Sequence, residues 1–382
     1  MTVAERFVSR RALPEFSLWA ALGEKRVPVG FDLETTARCN LNCRHCYINV
    51  PAGDRAAKRR ELDPAEIERV GSDAASLGAI WCAITGGEPL LRRDFADIYL
   101  ALRRKGLLLS VYTNATLVGR DVIELFRKHP PRDIEVTVYG VTEATYERVT
   151  RVPGSFAAFR RGLDLLLGSG VKVRLKAMAL RSNFRELPAI AEFCRARTKD
   201  YFRFDPFLHY RFDRDAARNA EIESERLTPA EVVSVERSDR ERRRALERSC
   251  GQLIVPALAE SDGRRLFRCD AGRRSFVVGA DGRFRPCPSL YHPDFLYDLL
   301  KGSLAGAWND FAPAVLGRTS DRPEYLEKCA RCPVVNLCLW CPAHAYLETG
   351  VLDLPVDKFC RLARARARSL ERRAGKDVDK AP

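Results

Sequence analysis

The chain has 382 residues and a formal net charge of +14, from 65 Lys and Arg against 51 Asp and Glu. Its length allows one large domain plus a smaller one, and 46% apolar with 30% charged residues is the composition of a globular protein. No run of about 18 apolar residues occurs and residues 1–26 lack the features of a signal peptide, which excludes a membrane-spanning chain. Acidic residues are interleaved with the basic ones, which disfavours nucleic acid as a partner.

The 13 cysteines are odd in number and gathered in clusters. A disulfide scaffold would need a denser, even set, so the clustering indicates metal binding in a reducing compartment. We therefore expect a cytoplasmic protein.

Short β-rich runs alternate with helical stretches over the first half of the chain. The runs are Phe31–Glu34, Ile80–Thr85, Leu107–Tyr112, Ile134–Tyr139, Val171–Met178 and Tyr201–Phe207. Six strand–helix units predict an α/β fold with a parallel sheet that right-handed crossovers curl into a partial (β/α)6 TIM-like barrel. The active site of such a sheet lies at the carboxyl ends of its strands.

Three thiols follow the first predicted strand closely, in the spacing Cys39-x3-Cys43-x2-Cys46. A loop with this spacing can turn its sulfurs toward one point. Three thiolates are one ligand short of the four that a structural zinc ion or an iron–sulfur cubane takes. Either a distant residue completes the site, as in half of a zinc site, or one metal position stays open for a reacting ligand.

This spacing resembles the signature of the radical S-adenosylmethionine (radical SAM) superfamily. The resemblance implies that Cys39, Cys43 and Cys46 hold three irons of a 4Fe–4S cluster, whose fourth iron is chelated by S-adenosylmethionine (SAM). It also implies that the reduced cluster cleaves SAM to a 5′-deoxyadenosyl radical, which abstracts hydrogen from a substrate. The family's fold is the partial barrel predicted above.

Residues near the ends of other strands extend the resemblance. The run Gly86-Gly87-Glu88-Pro89 follows the second strand, where the family holds the amino group of SAM; two glycines allow a turn whose backbone approaches a ligand closely. Further SAM contacts are implied at His45, Tyr47, Thr113, Asn114 and Arg148. Alternatively, Asn114 is only an asparagine at a turn, and His45 is only a loop residue that shields the cluster.

A second block of cysteines follows a strongly charged stretch. Its members are Cys250, Cys269, Cys287, Cys329, Cys332, Cys338, Cys341 and Cys360. Within it, the Gly-rich turn of 277–284 predicts a small hairpin. The order of these cysteines resembles the SPASM extension of radical SAM enzymes, a small domain that binds two auxiliary 4Fe–4S clusters. Two zinc-ribbon sites are the alternative, because paired cysteines serve zinc equally well.

The SPASM resemblance divides the eight thiols into two groups. It assigns the outer cluster to Cys329, Cys332, Cys338 and Cys360. It assigns the inner cluster to Cys269, Cys287 and Cys341, with Cys250 as the fourth ligand. Two features depart from the family pattern: only two residues separate Cys338 from Cys341, and Cys250 lies 19 positions before Cys269.

These patterns predict five segments along the chain. They are an N-terminal extension (1–29), the partial barrel (30–214), a solvent-facing charged helical connector (215–249), the SPASM domain (250–365) and a basic tail (366–382), with a solvated helix from Arg361 onward.

The resemblance favours a peptide as the substrate, since most SPASM enzymes modify peptides or proteins, including ribosomally made natural products and peptide-derived cofactors. A separate peptide-recognition protein and an electron donor such as flavodoxin or ferredoxin are the implied partners. A radical reaction on a small molecule such as a porphyrin is the enzymatic alternative. A zinc-binding interaction protein is the non-enzymatic one.

Overall fold

The structure is a computed structural model that describes residues 25–199, 202–250, 263–269 and 271–378. Its strands are β1 (Gly30–Thr36), β2 (Arg38–Cys39), β3 (Val50–Pro51), β4 (Trp81–Gly86), β5 (Leu108–Thr113), β6 (Asp133–Thr137), β7 (Val173–Met178), β8 (Arg203–Asp205), β9 (Ser275–Val278), β10 (Arg283–Arg285) and β11 (Tyr297–Asp298). Nine of them form one sheet in the order β11-β10-β9-β1-β4-β5-β6-β7-β8, and β2 pairs with β3.

The segment from β1 to β8 is the predicted α/β barrel. β1, β4, β5, β6, β7 and β8 are parallel neighbours in chain order, so the expected sequence of six parallel strands is confirmed. The sixth strand is shorter than predicted, and Tyr201 lies outside the described residues.

Helices connect the strands and continue to the end of the described chain. They are α1 (Arg55–Arg59), α2 (Pro64–Ser76), α3 (Phe95–Arg104), α4 (Arg120–Lys128), α5 (Glu143–Thr150), α6 (Ser155–Leu167), α7 (Leu187–Arg195), α8 (Ala216–Glu225), α9 (Pro229–Ser238), α10 (Arg240–Cys250), α11 (Leu304–Gly306), α12 (Ala312–Leu316), α13 (Pro323–Lys328), α14 (Pro342–Thr349) and α15 (Asp357–Val378). None of them, among the described residues, is long and apolar enough to cross a membrane.

Alternation along β1 divides its side chains between two environments. Phe31 and Leu33 are buried in the hydrophobic core between the sheet and its helices. Asp32 and Glu34 lie on the opposite face and are only partly buried. Because side chains alternate along a strand, a polar lumen on one face and an apolar core on the other follow from the same seven residues.

The predicted hairpin is present, and it joins the barrel sheet. β9 and β10 pair antiparallel, and β9 also pairs in parallel with β1, with Phe31 opposite Phe276. The two rings stack with centroids 5.2 Å apart. The cysteine-rich part of the chain is therefore continuous with the edge of the barrel, a contact between distant segments that no local pattern indicates.

The expectation of a solvent-facing connector and tail is wrong in part. Val232 and Val235 of α9 are buried, and α9 packs against α15. Arg366 of α15 donates from Nη2 to Glu236 Oε1 at 2.7 Å and from Nε to Oε2 at 3.0 Å, and both side chains are buried. Because charged residues dominate both segments, the sequence pattern did not reveal the buried valines of α9 or the buried ion pair between α9 and α15. Residues 1–24 and 379–382 of the predicted extension and tail lie outside the described residues.

We expect Arg366→Ala to lower the free energy of unfolding by about 1.5–3 kcal/mol, because buried Glu236 loses two charge-assisted hydrogen bonds and keeps only Arg242, whose Nη2 lies 3.2 Å from Oε1. Urea unfolding of the purified protein measures this loss. The matched control is Lys128→Ala, which breaks a pair with Glu124 whose side chains are both 66% exposed and should change stability by about 1 kcal/mol or less. Equal effects of the two substitutions would contradict the structural role of Arg366.

Candidate functional site

The three-thiol loop begins at the end of β2, directly beyond β1, so it lies at the carboxyl end of the barrel strands. Cys43 is buried and its carbonyl accepts a hydrogen bond from the backbone N–H of Cys46 at 3.2 Å. The pKa of Cys39 is raised to about 12, mainly by burial, with the charges of Glu88 and Cys46 acting in the same direction. Burial likewise raises the pKa of Cys43 well above its usual range, with contributions from Cys46 and Cys39. The Cys39 and Cys43 thiols must therefore release protons when they bind a metal.

Residues outside the motif hold this loop in place. Arg38 forms a buried pair with Glu61, with Nε 2.7 Å from Oε1 and Nη2 2.9 Å from Oε2. Asn40 donates to Thr116 Oγ1 at 2.8 Å, and Arg218 Nη2 donates to the Cys43 carbonyl at 3.1 Å. The sequence analysis missed these anchors. Asn40 stands inside the motif, but Glu61 and Arg218 lie in charged stretches that carry no distinguishing pattern.

Gly86 and Gly87 bring the end of β4 against the backbone that leads into Cys39. A Cβ at Gly86 would lie 2.2 Å from Thr36 O, and a Cβ at Gly87 would lie 2.2 Å from Arg38 O. Gly87 N donates to Thr36 O at 2.7 Å. The two glycines thus allow the end of β4 to contact the backbone before the cysteine loop. The sequence analysis predicted only that they allow a close approach to a ligand.

Glu88 is a fully buried carboxylate that joins the ends of β4 and β5. Oε1 accepts from Thr113 Oγ1 at 2.8 Å and from Leu90 N at 3.1 Å, and Oε2 accepts from Asn114 N at 2.8 Å. Burial raises the pKa of Glu88 to about 7, although these hydrogen bonds lower it. A nearby cation would stabilise the ionised form, so the group is suited to an ammonium ligand. Pro89 is buried and starts the 3-10 turn Pro89–Leu91.

Asn114 connects this acid to the thiols. Its Nδ2 lies 3.0 Å from Asn40 Oδ1 and 3.8 Å from Cys39 Sγ, and the charge of Glu88 also acts on Cys39. The predicted residues Glu88, Thr113 and Asn114 therefore lie together beside the cysteine loop.

The remaining predicted contacts have different surroundings. His45 is buried against Tyr139, with ring centroids 5.2 Å apart, and its Nδ1 has no hydrogen-bond partner among the described residues. Burial lowers the pKa of His45 to about 4, so the ring is neutral at pH 7. Tyr47 packs against the ring of His209 at 4.3 Å. Arg148 is exposed on α5, where Nη2 donates to Thr145 Oγ1 at 3.0 Å.

A cavity of about 340 Å³ opens beside the cysteine loop, between the barrel mouth and the hairpin. Glu34, Tyr47 and Tyr291 line it. Glu34 accepts a hydrogen bond from Tyr291 Oη at 3.1 Å and forms a salt bridge with Arg285, which is 1% exposed. The hairpin thus contributes one wall of the barrel mouth. The sequence analysis missed this arrangement, because Arg285 and Tyr291 are remote from Glu34 along the chain.

The second cysteine block forms two groups of thiols. The pKa of Cys341 is raised to about 12, mainly by burial, with Cys287 and Cys269 acting in the same direction, so these three thiols lie within electrostatic range of each other. Cys250 is the last residue of α10, and its side chain lies outside the described part of the chain.

The other group surrounds a cavity of about 570 Å³. Its thiols are Cys329, Cys332, Cys338 and Cys360. Within the described residues, no three or more His, Cys, Asp or Glu side chains are gathered for a single metal ion. Four thiols around a cavity of this size fit a polynuclear cluster. The grouping is the one that the sequence predicted, and cluster binding at both groups remains a prediction.

The profile of the radical SAM superfamily matches residues 33–194, from β1 to α7. Residues 33–194 are therefore a radical SAM domain. The chain is accordingly a radical SAM enzyme, and the three-thiol loop and the Gly86–Pro89 turn lie inside the matched range.

Curated relatives of this radical SAM enzyme differ in substrate. It is 33% identical over 155 residues to Fe-coproporphyrin III synthase of Methanosarcina barkeri, a match that spans 41% of this chain but only 38% of that relative. It is 24% identical over 339 residues to the AdoMet-dependent heme synthase of the same organism, spanning 83% of this chain and 92% of the relative. It is 25% identical over 325 residues to the subtilosin biosynthesis protein AlbA of Bacillus subtilis, spanning 82% and 67%.

Among solved structures, SuiB of Streptococcus suis bound to its precursor peptide SuiA superposes with a TM-score of 0.66 at 16% identity. The match covers 90% of this chain and 78% of SuiB, so the shared fold extends beyond the barrel into the cysteine-rich part. The predicted partial barrel followed by a SPASM-type domain is therefore confirmed as a fold.

We expect Glu88→Gln to weaken SAM binding and to lower the free energy of unfolding by about 1.5–3 kcal/mol. The amide can accept hydrogen bonds at only one of the two positions that the carboxylate serves, so the donor on Thr113 or on Asn114 loses its partner. Urea unfolding and equilibrium dialysis with SAM measure the two effects. Glu66→Gln is the matched control: its single accepting oxygen, 2.9 Å from Asp63 N, is preserved in glutamine. A Glu88→Gln variant that binds SAM like the control would contradict the role of Glu88.

Proposed function

We propose that this radical SAM enzyme cleaves SAM reductively and abstracts hydrogen from a peptide, in the maturation of a ribosomally made peptide product or a peptide-derived cofactor. The observation that carries the proposal is the assembly of three thiols beside the buried Glu88 at the carboxyl ends of the barrel strands. Three thiolates can hold an iron–sulfur cluster, and the neighbouring Glu88 carboxylate can accept the ammonium group of SAM.

In this proposal Cys39, Cys43 and Cys46 hold a 4Fe–4S cluster with one iron left to SAM. When bound, the cluster and SAM supply a 5′-deoxyadenosyl radical that removes a hydrogen atom from the substrate. The chain's own contribution is to position SAM and exclude water. The neutral His45 ring packs against the Tyr139 ring beside the thiols, so this contact adds no charge next to the cluster.

The SAM contacts follow from the same arrangement. The Glu88 carboxylate receives the SAM ammonium group, and Thr113 and Asn114 keep that carboxylate in position. The turn of Gly86, Gly87 and Pro89 sets the distance between Glu88 and the cysteine loop. Arg148, which is exposed, is assigned to the ribose or carboxylate of SAM, and Tyr47 to the wall of the substrate cavity.

Two auxiliary 4Fe–4S clusters complete the proposed set of cofactors. Cys329, Cys332, Cys338 and Cys360 would hold the outer one. Cys269, Cys287 and Cys341, with Cys250, would hold the inner one. Iron, sulfide and zinc analysis after anaerobic purification tests this assignment. About twelve irons per chain are expected from three cubanes. Zinc with almost no iron would support the zinc-binding alternative and overturn the proposal.

A peptide substrate is supported by two findings of different kinds. AlbA is named for the biosynthesis of a bacteriocin, and the SuiB structure that shares this fold holds a precursor peptide. The cavity beside Glu34 opens to solvent between two parts of the fold, so an extended chain can reach the barrel mouth. Incubation of the reduced enzyme with SAM and short peptides encoded near its gene, followed by mass spectrometry, tests the proposal. A product that is two mass units lighter would indicate a new crosslink.

The second candidate is a radical reaction on a porphyrin-like molecule. It is favoured by the heme synthase relative, whose length is covered to 92%. The same assay with iron coproporphyrin in place of the peptide distinguishes the two. Turnover of the porphyrin without turnover of any candidate peptide would replace the peptide proposal.

The proposed partners are the peptide, a separate recognition protein for it, and a flavodoxin or ferredoxin as electron donor. We also propose a cytoplasmic location, because clustered thiols that bind clusters need a reducing compartment.

A further inference from the structure

The cavity of the outer thiol group reaches the protein surface. Cys332, Cys338 and Cys360 are partly exposed, and exposed Lys328, Arg331 and Arg364 stand among the residues that line the cavity. In the first loop Cys43 and His45 are buried, and Cys39 and Cys46 are partly exposed, as are three of the four outer thiols. Electron tunnelling through protein weakens steeply with distance, and the exposed cations at the opening of the outer cavity are where another protein could approach the outer thiols closely.

Basic residues surround the opening of this cavity. Arg361, Arg364 and Arg368 lie on one face of α15, since spacings of three and four residues align side chains on a helix. We call these three arginines, together with Lys328 and Arg331, the basic rim. The acidic residues that line the same cavity are Glu327 and Asp357, so the local charge is positive.

The side chains of the five rim cations are exposed. No salt bridge within the described residues involves any of the five. Other arginines of the chain, such as Arg181 and Arg195, do pair with carboxylates. An acidic protein surface can therefore bind the five cations without breaking a salt bridge. Attraction between opposite charges also speeds the encounter of the two proteins.

A row of packed rings connects the outer thiols with the first cysteine loop. Phe359, next to Cys360, lies 5.4 Å from Phe207, which lies 4.5 Å from His344. His344 stacks 5.8 Å from His209, and His209 lies 4.3 Å from Tyr47, which follows Cys46. Distances are between ring centroids. The row connects the two sites that the proposed function loads with clusters through successive ring contacts.

We propose that the basic rim docks an acidic one-electron carrier protein, and that the ring row carries its electron from the outer cluster toward the SAM-binding cluster. The inference rests on the proposed function for the presence of both clusters. In each encounter the carrier is oxidised by one electron and the enzyme is reduced by one, with no bond made or broken in the transfer. Docking at the rim places the carrier's cofactor over the cavity of the outer thiols.

The test compares charge reversals of equal size in the reconstituted enzyme. The rim variant is Lys328→Glu/Arg331→Glu/Arg364→Glu. The control variant is Arg93→Glu/Arg104→Glu/Arg120→Glu, at three exposed arginines that line none of the cavities described above. Reduced flavodoxin is the probe, its affinity is measured by calorimetry, and the bleaching of iron–sulfur absorbance is followed by stopped flow.

We expect the rim variant to lose at least about tenfold in flavodoxin affinity and in the bleaching rate, with the control unchanged. Wild-type rates should fall as salt screens the exposed charges. SAM cleavage driven by dithionite, a small reductant that needs no docking surface, should be unaffected. Equal losses in both variants, or an unchanged bleaching rate in the rim variant, overturn the docking proposal.

Two further outcomes separate this proposal from others. If the wild-type enzyme binds no iron, or does not cleave SAM with dithionite, the proposed function is wrong and the docking proposal is wrong with it. A rim variant with a raised KM for an acidic peptide and an unchanged flavodoxin rate would assign the rim to the peptide instead.

The ring row has its own test. His209→Leu should slow flavodoxin-driven SAM cleavage severalfold while leaving the flavodoxin affinity unchanged, and His209→Phe should restore the rate because it restores the ring. Equal rates for the leucine and phenylalanine variants would remove the row from the route.

Discussion

Replacement of Cys39, Cys43 and Cys46 by alanine should abolish the formation of 5′-deoxyadenosine in the presence of dithionite. At the barrel mouth Cys43 is buried and Cys39 and Cys46 are partly exposed, and no other thiol of the described residues lies in their loop. Without them the position next to Glu88 has no metal ligands, so SAM cannot be reduced there. Chromatography with mass detection measures deoxyadenosine, and iron analysis should show the loss of one cluster.

The matched control is Cys194→Ala. Cys194 is a buried core residue of α7 and is remote from the three thiol groups in sequence and packing. This variant should retain iron and activity. If the triple variant still produced deoxyadenosine at the wild-type rate, the first loop would not be the site of SAM cleavage.

The second large effect is expected from Gly87→Ala. Its new methyl group would lie 2.2 Å from Arg38 O and 2.7 Å from Ala37 O, and backbone atoms cannot move aside as a flexible side chain can. Either β4 or the backbone before Cys39 must shift, and a shift of about 1 Å at a reacting site can reduce the rate by about 100-fold. We expect a loss of this size in SAM cleavage, together with about 1–3 kcal/mol of stability from overpacking.

Gly53→Ala provides the comparison, because no atom lies within 4 Å of the added carbon. It should change neither activity nor thermal unfolding appreciably. A Gly87→Ala variant with the activity of Gly53→Ala would show that the contact between β4 and the cysteine loop is not needed to place the thiols.

The barrel was predictable because its signals are local. The alternating apolar residues of β1 and β4 depend on a few neighbouring positions, and so does the capping box of Asp63 and Glu66 that begins α2. The three-thiol loop was predictable for the same reason. Its ligands lie within eight residues, so the spacing itself carries the chemistry.

The surroundings of the site were not predictable in this way. Arg218 supports the Cys43 carbonyl from 175 residues further along the chain, and Arg285 reaches Glu34 across 251. The sequence analysis placed the connector and the tail in solvent because charged residues dominate them. The structure buries Glu236 and Arg366, since each charge has the other as its partner.

The strand order of the barrel and the cysteine loop came from the sequence alone, because short-range patterns determine both. The division of the later thiols into two groups came from the resemblance to the SPASM extension. The tertiary structure decided that β9 extends the barrel sheet, that Gly86 and Gly87 serve the loop backbone, and that rings connect the outer thiols with the first loop. These features depend on contacts between segments far apart in the chain. Only the packing of the whole fold selects them, since each residue involved would suit many other surroundings equally well.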